Sequence, residues 1–224
     1  MTALSAAGML LLFEEGQRRD PLARSALAIA VADGDPAPLR LTAGKMESRL
    51  LALRQATFGA VMEGIATCPA CGETCETSVR TSDILALPAS CEPVIIGDIE
   101  ARLPRGEDIA AVMHLRDPEE IRRALLERCT GAPFPPELMD QIEDALAAAD
   151  PRADVQLALT CPACGHDWLL RFDAVAFFWS ELTAAAERVL GEVDALARAY
   201  GWSEREILSM SARRRALYVE RLSS

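Results

Sequence analysis

Five consecutive residues, Cys-Pro-Ala-Cys-Gly, occur twice in this chain, at 68–72 and at 161–165. Each copy is a turn suited to presenting two sulfurs on one side. Two residues between the cysteines let the backbone reverse around a metal ion, and the proline fixes φ inside the turn. The glycine after the second cysteine can take a left-handed conformation, so that backbone N–H groups point at the sulfurs and stabilise their charge. One such knuckle supplies two ligands, whereas a closed tetrahedral structural zinc site needs four. The simplest arrangement brings Cys68, Cys71, Cys161 and Cys164 to a single Zn²⁺. The chain must then return to one place after roughly ninety residues, against the roughly 15–20 that separate the pairs of an ordinary zinc ribbon. A ribbon-like site carrying a long insertion is expected.

Other chemistries use related residues. Iron in a rubredoxin-like site has similar knuckles. A redox dithiol also reads CxxC, but such motifs sit at a helix N-terminus after a strand, and here both pairs adjoin strands. Two separate sites would need Cys75 to join the first pair and His166 the second, and each would still lack a ligand. Four cysteines close the coordination shell, so the metal is expected to be architectural rather than catalytic. His166 reads as a surface or outer-shell residue and His114 as a helix-end residue. Cys91 and Cys129 read as small buried or half-buried side chains.

Composition narrows the function classes. The 224 residues are half hydrophobic and one quarter charged, the range of an ordinary globular protein that does not need metal simply to fold. Net charge is -11, which repels phosphate backbones unless basic residues cluster, and so argues against a general nucleic-acid or anionic-membrane binder. The apolar run at 8–13 is too short to span a bilayer and lacks a basic segment before it, so a cytoplasmic protein without a membrane span is the expectation. Seven cysteines, four of them in CxxC pairs, suit metal binding in a reducing compartment. No dinucleotide, P-loop, H-E-x-x-H or G-x-S-x-G signature occurs. A non-enzymatic protein is expected.

Local patterns predict an α+β fold, mostly helical, with a small antiparallel sheet around the four-cysteine site. Residues 6–32 read as helix broken at Asp20-Pro21. Residues 33–38 read as a linker, and 47–62 as a helix in which Leu50, Leu51, Arg54, Phe58, Val61 and Met62 recur at helical spacing. Strands are expected at 75–81 and 92–103. Asp117-Pro118 starts a helix running to about Cys129, with Gly131 as terminator, and another helix follows Pro135-Pro136. Residues 154–160 and 168–172 read as a hairpin about the second knuckle. Asp173 caps a long helix, 174–199, with an apolar stripe from Val175 to Tyr200. Ser203 and Glu206 form a capping box, and Ser211 can cap a last helix. Three regions are expected: an N-terminal helical segment at 1–40, a zinc-ribbon-like core with a helical insertion at 41–200, and a helical tail at 201–224.

From Arg198 onward there are six arginines against three glutamates, a basic end on an acidic chain. Trp202, Arg213, Arg214, Arg215 and Tyr218 are candidate partner-binding residues, because aromatic and arginine side chains suit protein interfaces. The alternative is a nucleic-acid-binding zinc-ribbon protein of regulatory type, in which the arginines meet phosphates. The plainer reading, favoured over nucleic acid because basic surface elsewhere is sparse, is a docking helix whose arginines pair with acids on the same protein or a partner.

The paired CPACG units, together with the segments "EARLPRGEDI", "ALTCPACGHDWLLRFDAVAFFWSEL" and "YGWSEREILSMSARRRALYVERL", resemble a bacterial family found with phage-like contractile tails and injection systems. Its members are often described as similar to the T4-type baseplate hub assembly chaperone. The resemblance runs from about Leu41 to Leu222. It implies a non-enzymatic protein that helps assemble a baseplate, or becomes part of one, with baseplate, hub or other tail-assembly proteins as partners.

Overall fold

The computed structural model describes residues 2–89 and 93–222, so the reading of Cys91 lies outside the described residues. The chain opens with two helices, α1 (Ala6–Gly16) and α2 (Pro21–Asp33). Asp20 accepts from the Ala23 N–H and Pro21 occupies the first turn, so the break at Asp20-Pro21 is a helix start. Helix α3 (Ala43–Phe58) follows and delivers the chain into a hairpin, β1 (Val61–Thr67) and β2 (Thr74–Arg80), with the first knuckle at its tip. The helix expected at 47–62 is therefore shifted. It begins four residues earlier, and Val61 and Met62 belong to β1. Gly59 takes φ 103°, a conformation closed to ordinary side chains, and that ends α3.

A short helix α4 (Thr81–Leu85) leads toward the insertion. The strand expected across 92–103 is instead a small hairpin, β3 (Val94–Ile96) and β4 (Ile99–Ala101), folded about Gly97 at φ 58°. Glycine at the first position of a two-residue turn reverses the chain where the apolar pattern alone suggested continuity. Helices α5 (Gly106–Val112), α6 (Pro118–Thr130) and α7 (Met139–Ala149) complete the insertion. Ala101, Leu103, Leu126, Cys129, Ile142 and Leu146 give it a core of its own. Asp108, wholly buried, joins these pieces. It accepts from Arg102, from Arg128 Nε at 3.0 Å and from the Arg105 N–H at 3.0 Å. Burial opposes its ionisation, but the Arg102 hydrogen bond and the other cations hold it below the usual carboxylate range.

The second hairpin, β5 (Gln156–Thr160) and β6 (Asp167–Arg171), carries the second knuckle. Helix α8 (Ala174–Tyr200) then crosses the molecule, capped by Asp173 at its start and by Gly201 at φ 68° at its end. It packs against α1, α2 and α3, and against the tail helices α9 (Glu204–Ser209) and α10 (Ala212–Leu222). The main core joins Leu12 of α1, Ala28 of α2, Leu50 and Leu53 of α3, Met62 of β1, and Phe178 and Leu182 of α8. Each of the leucine, methionine and phenylalanine side chains contributes about 1.5–3 kcal/mol when fully buried. The fold is α+β, as the patterns predict, but its sheet is three separate two-stranded hairpins.

Candidate metal centre

Two long-range ties aim the knuckles at each other. Arg54, at the end of α3, is buried. Its Nε and Nη2 donate to Glu181 of α8 at 2.8 and 2.5 Å, and its Nη1 donates to the Gly59 carbonyl at 2.6 Å. That fixes the turn from which β1 departs. At the other end of α3, the Gly44 N–H donates to buried Asp150, six residues before β5, at 3.0 Å. A Cβ on residue 44 would lie 1.9 Å from the Asp150 carboxylate, so only glycine allows this approach. Arg152, donating to the Leu85 and Leu87 carbonyls, holds the entry to the second hairpin.

The two knuckles have the same internal wiring. Cys68 N–H donates to the Glu73 carbonyl at 2.8 Å and Gly72 N–H to the Cys68 carbonyl at 2.9 Å. Cys161 N–H donates to the His166 carbonyl and Gly165 N–H to the Cys161 carbonyl, both at 2.9 Å. Gly72 and Gly165 take φ 77° and 72°, the left-handed conformation the sequence anticipates. Strand pairs Thr67–Thr74 and Thr160–Asp167 close the two loops at equivalent positions.

The sulfurs meet reciprocally. Cys68 Sγ lies 3.7 Å from Cys164 Sγ, and Cys71 Sγ lies 3.6 Å from Cys161 Sγ, so the first cysteine of each knuckle faces the second of the other. All four sulfurs fall within 4.8 Å of one another. A regular tetrahedron with Zn–S bonds near 2.3 Å has edges of about 3.8 Å, and the two reciprocal separations of 3.7 and 3.6 Å match it. No S–S bond joins them, and the four are free thiols. The donor set and spacing fit a four-thiolate metal ion.

Electrostatics agree with that use. The Cys164 N–H points at the Cys161 sulfur and, against desolvation and with help from the Ala163 N–H, holds that thiol down to about 6. The Glu73 N–H acts likewise on Cys71, but the hydrogen bond with Cys164, desolvation and the other thiols outweigh it and push Cys71 up to about 12. Cys164 receives the His166 N–H and is also shifted up on balance, by desolvation and by Cys161 and Cys68. Four clustered thiols cannot all ionise unless a cation offsets their mutual repulsion.

Cys75 lies beside the cluster and is buried, packing with Cys68, Cys161 and Trp168, but it is not one of the four. Desolvation and then Cys161 raise its pKa, so it serves as apolar packing. His166 is exposed and stacks on Trp168 with centroids 6.3 Å apart; it is not among the four either. His114 is exposed just past α5, and Cys129 is buried in the insertion.

The C-terminal candidates separate into two groups. Arg215 is 4 % exposed and donates to Glu192 of α8 at 2.6 Å and to the Met210 carbonyl at 2.8 Å. Its expected place on a partner surface is corrected: it is a docking residue within the chain, because it falls on the face of α10 that meets α8. Trp202 and Tyr218 are half-buried; Trp202 stacks on Tyr200 at 4.6 Å, and Tyr218 meets Tyr200 edge-on at 5.6 Å. Arg213 and Arg214 remain exposed, Arg214 lying over the Tyr218 ring. Among the described residues, no helix is long and apolar enough to cross a membrane. Sequence reading did not single out Gly44, Asp150 or Glu181, whose partners are distant along the chain. No protein-family model, curated protein or solved structure matches this chain.

Proposed function

We propose that this chain is a non-enzymatic, zinc-stapled assembly factor or component of a phage-like contractile tail or injection-system baseplate. The observation that carries the metal part is the reciprocal closure of four cysteine sulfurs between two hairpins that share no strand ladder. Four thiolates leave no open coordination position, so zinc here holds structure and activates no water. The assembly part rests on the sequence resemblance over most of the chain. A stripe on α10, with exposed Arg213, Leu217 and Arg221, supports it as a protein-facing surface. The loss of Arg215 to an internal ion pair weakens the nucleic-acid alternative, since it takes one of the three consecutive arginines off the surface.

Elemental analysis of purified protein tests the metal: one zinc per chain is expected, and two zincs, iron or no metal overturns it. Affinity capture from a host carrying a contractile-tail gene cluster tests the role. Recovery of baseplate, hub or tube proteins, lost when Leu217→Asp and Arg213→Ala are combined, is the expected result. Salt-dependent duplex binding with no tail protein recovered would instead favour the regulatory reading.

A further inference from the structure

A cleft of about 550 Å³ opens where α2, α3 and the start of α8 converge, on elements that contain no cysteine ligand. Its apolar wall includes Leu51, Val155 and Val175. Its polar groups are Ser25, Glu47, Arg152, Arg171 and Asp173. Their hydrogen-bonding states are unequal. The cations are turned to other partners: Arg152 donates to two backbone carbonyls and to Ser48 Oγ, and Arg171 pairs through Nε with Asp154 at 2.7 Å. Glu47 has no hydrogen bond or ion pair among the described residues, and Ser25 Oγ, on a residue 3 % exposed, has no hydrogen-bond partner. Asp173 uses Oδ1 to cap α8. Neither arginine hydrogen-bonds Glu47 or Ser25, so among the described residues these two acceptors have no cationic donor placed on them.

We propose that this cleft binds an alkylammonium or alkylguanidinium group, with Glu47 as counter-ion, Ser25 Oγ as a hydrogen-bond acceptor and the apolar wall around the alkyl stem. The site is separate from the four-cysteine centre and goes beyond the assembly reading. Burial, then the neighbouring Asp173 charge, raises Glu47 to about 7, with Arg171 opposing, which is the cost a bound cation would relieve. The apolar lining excludes a bare hydrated metal ion as the natural occupant, because such ions demand several oxygen ligands. A cation with a hydrocarbon stem matches both halves of the cleft.

The test is titration of the full-length, metal-loaded chain with butylguanidinium and butylammonium chlorides, followed by amide chemical shifts, with n-butanol as the neutral control. Saturable shifts around Ser25, Glu47 and Val175 are expected at roughly millimolar concentrations, as for ligands of so few atoms. n-Butanol should give none. Glu47→Gln, a neutral isostere, should weaken binding about tenfold, and Ser25→Ala severalfold. A capped pentapeptide with one central arginine identifies the source. Tighter binding than butylguanidinium marks a polypeptide side chain as the occupant, and equal binding marks a free organic cation. Shifts that never saturate, that n-butanol reproduces, or that survive both substitutions would overturn the proposal and leave a merely hydrated cleft.

Discussion

Replacing Gly44 with alanine puts a methyl group where the Asp150 carboxylate now sits. The new Cβ would fall 1.9 Å from Oδ1 and 2.5 Å from Cγ, so one group must move. Movement breaks the bond from the Gly44 N–H to Oδ2, now 3.0 Å. A hydrogen bond to a charged group contributes about 1.5–3 kcal/mol, and leaving its buried partner unsatisfied costs about 1–3 more. Alanine returns at most about 1 kcal/mol through helix propensity. Net destabilisation should be about 1.5–5 kcal/mol, lowering the urea midpoint by about 1–2.5 M for a slope near 2 kcal/mol per M. Gly44 and Asp150 lie 106 positions apart and tie the helix leading into β1 to the segment leading into β5. Metal affinity should therefore fall as well. The companion variant Asp150→Ala removes the clashing oxygens, so adding Gly44→Ala to it should be neutral or slightly stabilising. A Gly44→Ala loss below about 1 kcal/mol, or simple additivity of the two changes, would refute the reasoning.

Three further outcomes follow from the same geometry. Cys161→Ser should abolish stoichiometric metal binding while leaving most far-UV circular dichroism, because the main core contains no cysteine ligand; coincident loss of helix would contradict this. Glu47→Gln should alter the pH dependence of stability. A carboxyl raised from 4.5 to about 7 in the folded state weakens that state as pH rises from about 4.5 to 7, and the penalty is then constant above. The shift sets a ceiling of about 3 kcal/mol, and partial exposure reduces it to about 1–2. The variant should therefore match the parent in urea melts near pH 4.5 and exceed it near pH 8. Arg215→Met should cost about 1–3 kcal/mol by stranding Glu192, and hydrogen exchange should quicken in α10. Arg213→Met, on an exposed position, should stay within about 0.5 kcal/mol.

Elements that carry their own signals were readable in the sequence. Asp20-Pro21, Asp117-Pro118 and Asp173 each mark a helix start, and Gly131 and Gly201 take the left-handed conformation at helix ends, because capping is decided within a few residues. The four cysteines were readable because a knuckle advertises its own geometry. Errors arose where glycine overrode an apolar pattern. Gly59 turned Val61 and Met62 from helix into strand, and Gly97 folded one expected strand into a hairpin. Residues acting over long separations left no local trace. Glu47 carries no local signal of its own, and only the packing of α2, α3 and α8 leaves it half-buried in a cleft. Arg215 shows the converse: in sequence it is the last of three like arginines, and only the rotation of α10 turns it inward.

The placement of the cysteines explains why a metal, and not a ladder of hydrogen bonds, suits this junction. The hairpins meet at their tips and share no strand pairing, so no register holds one against the other. Burial does little there as well: Cys71 and Cys164 are exposed, and the nearby apolar cluster is only three cysteines and a half-buried tryptophan. Four thiolates on zinc supply apparent binding free energies of about 10–16 kcal/mol in small domains, far above a few exposed hydrogen bonds at about 0.5–1.5 kcal/mol each. The helical body has its own core and its own ties through Arg54–Glu181 and Gly44–Asp150. Metal loss should therefore loosen the hairpin tips without unfolding the body. Limited proteolysis distinguishes the cases: chelator should expose cleavage near 67–74 and 160–167 while α8 stays protected, whereas uniform digestion would mean that the metal holds the whole chain together.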